Sequence, residues 1–65
     1  EFFAVMNAAN EIAVAAFLER RITFPSIWEN VAAVMQAHVN EPGAGLDAIL
    51  NADTWAREEA RRRIS

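Results

Sequence analysis

Sixty-five residues make one domain at most, and a net charge of −3 with a pI near 4.9 has the wrong sign for general nucleic-acid binding. There is no cysteine, which excludes disulfides and thiolate–metal sites as sources of stability. Hydrophobic residues make up 54% of the chain, above the ~45–50% usual for globular proteins.

The first element runs from Phe3 to about Arg20. It is alanine-rich, holds no Gly or Pro, and predicts a helix over 3–20. Ile12 to Leu18 is apolar at every position, and a helix that is apolar all round must be enclosed by protein or lipid. Asn7, Asn10 and Glu11 argue against lipid, because they fall at i, i+3 and i+4 and form one polar strip. Arg20 and Arg21 close the element with cations at the negative end of its dipole.

Ile22-Thr23-Phe24-Pro25-Ser26 is a short connection, and Ser26 with Glu29 has capping-box spacing, which predicts a second helix over about 26–38. Ile27, Val31, Val34, Met35 and His38 form its buried stripe. Trp28 and Ala32 are expected to widen that stripe, with Glu29, Asn30 and Gln36 facing water. Asn40 to Gly45 holds most of the chain's Gly and Pro and reads as a loop. Leu46 to Leu50 then predicts a short helical piece over 46–51. Asp53 is a good N-cap for a last helix over 54–64, with Trp55, Ala56, Ala60 and Ile64 on its apolar side. Glu58–Arg62 and Glu59–Arg63 are favourable i, i+4 pairs on that helix. The fold class is therefore all-α: a small three- to four-helix bundle-like domain spanning 1–65.

The polar residues give few chemical leads. Asn7, Asn10 and Glu11 either satisfy groups where the chain enters a buried helix or contact an adjoining body. A single Glu with no second acid, base or metal ligand is not a catalytic constellation. His38, the one histidine, ends an apolar stripe and lacks convergent partners for a metal. Trp28 and Trp55 suit core or interface packing better than ligand stacking. The arginines from Arg57 to Arg63 alternate with Glu58 and Glu59, the pattern of a self-paired solvated face. No catalytic, cofactor-binding or metal-ligating residue is assigned. No apolar run approaches the ~20 residues that a membrane span needs.

The run Asn7-Ala8-Ala9-Asn10-Glu11-Ile12-Ala13-Val14-Ala15-Ala16-Phe17-Leu18 resembles the segment that opens the C-terminal helical domain of 1-deoxy-D-xylulose 5-phosphate reductoisomerase. The likeness continues through Arg21-Ile22-Thr23-Phe24, Ile27, Glu41-Pro42, Leu46 to Leu50, and Asp53-Thr54-Trp55-Ala56-Arg57-Glu58. One departure lies at the front, where Glu1-Phe2-Phe3 replaces a Gly/Pro-containing approach. The resemblance implies the C-terminal part of a larger cytoplasmic, homodimeric enzyme that uses NADPH and Mg²⁺ or Mn²⁺. That family's reacting residues lie upstream of this segment, so the chain alone is expected to be inactive. Its implied partner is the catalytic domain of the same polypeptide, with Asn7, Asn10 and Glu11 as candidate interdomain contacts. The alternative is a free-standing helical interaction module that grips a partner helix with the same apolar face. On either reading the isolated chain should be marginally stable or self-associating. A high-melting monomer at every concentration in sedimentation would contradict both.

Overall fold

The computed structural model describes residues 2–40 and 52–64. They form three helices: α1, Phe2–Leu18; α2, Phe24–Asn40; and α3, Ala52–Ile64. Of the loop expected over 40–45, Asn40 belongs to α2; the rest of it and the helical piece expected over 46–51 lie outside the described residues. α1 is the central rod. It packs against both other helices, which touch one another less extensively. Among the described residues no helix is long and apolar enough to cross a membrane.

The core is built from small side chains. Val5, Ala8, Ala9 and Ala13 of α1 meet Ile27, Val31 and Val34 of α2 and Ala52, Ala56 and Ala60 of α3 in one cluster. Ala52, Ala56 and Ala60 recur every four residues and make a single flat ridge along α3. Small ridges let helix axes approach toward the short end of the usual range, so alanine here sets helix spacing as well as helix propensity.

The end of α1, the start of α2 and the start of α3 each differ by two residues from expectation, and each has a local cause. α1 stops at Leu18, not Arg20. Arg20 takes a left-handed conformation (φ 64°), its N–H donates to Phe17 O at 2.9 Å, and the Arg21 N–H donates to Ala16 O at 2.9 Å. That pair of bonds is a Schellman cap, normally completed by glycine because a β-carbon is disfavoured at positive φ. Arg20→Gly should therefore raise stability by about 0.5–1 kcal/mol, read as a few degrees in a thermal melt.

α2 starts at Phe24, earlier than the Ser26 capping box implied. Thr23 holds the cap position instead: the Ser26 N–H donates to Thr23 O at 3.1 Å, and the two hydroxyls lie 2.9 Å apart. Pro25 then falls in the first turn, where its missing N–H has no intrahelical acceptor to lose. α3 starts at Ala52, which places Asp53 inside the first turn rather than at the N-cap. Its carboxylate accepts from Arg57 Nε at 2.9 Å.

The buried face of α2 is rotated from the expected one. Ile27, Asn30, Val31 and Val34 are buried, an i, i+3, i+4, i+7 stripe, whereas Trp28 is 61% exposed and Ala32 is exposed. Asn30 faces inward because α3 lies on that flank: its Nδ2 donates to the Ala60 carbonyl at 3.2 Å. Met35 and His38 are half-buried.

Candidate functional site

Asn7, Asn10 and Glu11 occupy the second and third turns of α1, where their spacing places all three on one side. The structure joins two of them. Asn7 Nδ2 donates to Glu11 Oε2 at 3.0 Å, and Arg57 of α3 donates to Glu11 Oε1 at 2.8 Å. Arg57 also holds Asp53 through Nε. The result is a continuous chain, Asn7–Glu11–Arg57–Asp53, that crosses from α1 to α3.

The electrostatics follow from that geometry. The Arg57 hydrogen bond, with help from Asn7 and the Arg57 charge, holds the Glu11 carboxyl below the usual carboxylate range. The Asp53 and Glu11 carboxylates push the Arg57 guanidinium further up. Glu11 is thus a permanent anion at neutral pH with one oxygen on a cation and the other on an amide, and it is a poor proton carrier. The Glu11 and Arg57 side chains are 53% and 29% exposed, so solvent screens the bridge and its main effect is to set helix orientation.

A pH dependence follows. A carboxyl depressed in the folded state adds stability above its unfolded value, and that stability is lost as pH falls through the folded value. Glu11→Gln should therefore flatten the acid limb of a stability–pH profile below pH 4.5 by lowering the neutral plateau slightly, the two proteins converging in acid. Glu59 behaves in the same way: Arg62, then Arg63, lower its carboxyl.

Asn10 stands apart from the bridge. With Met6 and Asn7 it forms one wall of an open groove of about 570 Å³, whose opposite wall is Trp28, Val31 and Ala32 of α2. Large apolar side chains are exposed at both ends of the helix pair: Phe2, Phe3 and Met6 near the start of α1, and Leu18 and Phe24 near the turn.

The remaining candidates take structural roles. The His38 ring lies 5.8 Å from the half-buried Trp55 ring, so the two pack α2 against α3. Glu59 gathers Arg62 and Arg63, the latter at 2.8 Å, so two of the cluster's four arginines are paired within the helix, as expected of a self-paired face. Arg57 leaves that face for Glu11. Its pairing with Asp53 has the i, i+4 spacing of a helical ion pair, which the N-cap reading of Asp53 passed over, and its pairing with Glu11, 46 residues away, carries no sequence signal. No group of three or more His, Asp or Glu side chains that could hold a metal occurs among the described residues. Glu11 and Asp53 converge on Arg57, whose cation fills the place where a metal would have to sit.

A family model described as the DXP reductoisomerase C-terminal domain matches residues 1–59. The chain is similar to 1-deoxy-D-xylulose 5-phosphate reductoisomerase of Chlorobium limicola, with 56% identity over 61 residues. The match covers 94% of this chain and 16% of that protein. The enzymes of the same name from Pelodictyon phaeoclathratiforme and Geobacter metallireducens are 55% and 48% identical, over 95% and 94% of the chain and again 16% of each relative. No solved structure matches the chain.

Proposed function

The chain belongs to the family of DXP reductoisomerase C-terminal domains, and from that membership we propose that it is the C-terminal structural domain of a larger enzyme. That enzyme converts 1-deoxy-D-xylulose 5-phosphate to 2-C-methyl-D-erythritol 4-phosphate, a skeletal rearrangement followed by hydride transfer, in isoprenoid precursor synthesis. The observation that carries the reading is the high identity across nearly all of this chain, which still spans only 16% of the relatives.

NADPH and a divalent metal, Mg²⁺ or Mn²⁺, belong on this reading to the upstream body. The Glu11–Arg57–Asp53 arrangement does not suit a metal, and no residue here is given a catalytic role. Residues 1–65 form one domain that packs on the catalytic domain and braces its shape around the substrate. The parent is a cytoplasmic homodimer. The interdomain contact runs along the edge of α1 that carries Asn7, Asn10 and Glu11.

Physical support comes from the surface. Phe3 is 73%, Leu18 72%, Trp28 61% and Phe24 58% exposed. At ~25 cal/mol per Å², covering such side chains could add several kcal/mol to the parent's stability. The test is the natural polypeptide that carries this segment. It should be several times heavier than 7.2 kDa and oxidise NADPH only with substrate and divalent metal, while residues 1–65 alone do neither. A natural product of about 7.2 kDa would sink the reading and favour a free-standing interaction module.

A further inference from the structure

We propose that the groove between α1 and α2 holds an extended peptide segment of the parent's own upstream body, with an apolar side chain in the groove and its main chain bonded to Asn10 and Trp28. This rests on the reading above and names the occupant of one face. The groove's lining is mostly apolar: Val31 is buried at 8% exposure, while Met6 and Trp28 stand as half-open walls at 38% and 61%. Asn7, at its edge, has its amide nitrogen engaged by Glu11. The Asn10 amide and the Trp28 indole N–H have no hydrogen-bond partner among the described residues.

Those two groups select the chemistry. A carboxamide both donates and accepts, and an indole only donates. Together they match the C=O and N–H groups of an extended main chain, as in other grooves that read peptide backbone through polar side chains. A helix has its central backbone groups already paired and would leave both unsatisfied. No charged side chain lines the groove, so an anionic or cationic small ligand has nothing to recognise there.

Position selects the source. The family model is that of a C-terminal domain and the relatives extend far beyond the matched part, so the parent's remaining chain lies mainly before α1. Met6, Asn7 and Asn10 sit in the first three turns of that helix. The upstream body is therefore tethered beside the groove, and tethering gives it a high effective concentration over any free partner.

The test uses the full-length polypeptide with a diazirine amino acid, close to methionine in shape, placed at Met6. Irradiation followed by mass mapping should give a crosslink to one upstream peptide of the same polypeptide. Asn10→Leu, which keeps the apolar wall and removes the amide, should speed deuterium exchange of that upstream peptide about fivefold. A crosslink between two polypeptides would assign the groove to a second copy and overturn the proposal, and so would solvent adducts alone. Activity separates the two levels of failure. If the unlabelled enzyme oxidises NADPH with substrate yet Met6 finds no upstream peptide, the groove assignment falls and the proposed function stands. An inactive full-length polypeptide removes both.

Discussion

Ala56→Leu should remove a large share of this protein's stability. Ala56 is 0% exposed and lies between Ala52 and Ala60 on the ridge that α3 presents to the core. Leucine adds three carbons where the facing surface is itself alanine, at Ala8, Ala9 and Ala13 of α1. Interiors pack near crystal density, so the added volume must displace a helix axis. Overpacking costs about 1–3 kcal/mol, and a single core in a chain this short rarely supplies more than about 3–5 kcal/mol in total. The expected result in a thermal melt followed by circular dichroism is a midpoint lower by roughly 10–20 °C, or no cooperative transition. Ala15→Leu is the matched control, because Ala15 is exposed on α1 and the same added volume meets solvent. It should move stability by no more than about 0.5 kcal/mol. Equal behaviour of the two variants would mean that α3 does not depend on close alanine contact.

That contrast also marks where sequence reasoning works in this molecule and where it stops. The three helices were legible because alanine propensity, the absence of breakers inside each run, and the 27/31/34 periodicity all agree. The flank of α2 was not. Ile27, Val31 and Val34 are compatible with a buried stripe that widens toward Trp28 or toward Asn30, since both lie next to it on the helical wheel. Hydrophobicity favours Trp28, and the structure buries Asn30 because α3 occupies that side. The choice belongs to tertiary packing and leaves no mark on α2 itself. Arg20 is similar: nothing in its side chain announces positive φ, and the Schellman bonds that hold it come from the preceding helix. At the site, Asn7 and Glu11 were legible as one polar strip, whereas Asp53 reads as an N-cap and pairs with Arg57 because the helix starts earlier, at Ala52. The Glu11–Arg57 bond that joins these local pairs required the fold.

Asn30→Leu should stabilise the protein, the reverse of the usual outcome for a buried hydrogen-bonded residue. Asn30 is 8% exposed, and its Oδ1 is sealed from solvent without a hydrogen-bond partner. An orphaned buried acceptor costs about 1–3 kcal/mol, more than the roughly 1 kcal/mol net gain from the single bond that its Nδ2 makes. The carbonyl receiving that bond belongs to Ala60, four residues before Ile64 in α3, so helix geometry offers it a main-chain donor as well. Leucine has nearly the shape of asparagine, a better helix propensity and no polar atom to strand. The expected gain is about 1–2 kcal/mol, seen as a melting midpoint higher by roughly 5–15 °C. Asn30→Asp tests the same account from the opposite direction. A carboxylate there would face the Ala60 carbonyl with no proton to donate, so the variant should be largely unfolded at neutral pH. Its folded-state pKa would be raised by burial, so stability should return as pH falls and the neutral acid can donate to Ala60. If Asn30→Leu melts below the parent sequence, the amide oxygen has a donor in solution, and Asn30 is then a fully satisfied clamp between α2 and α3.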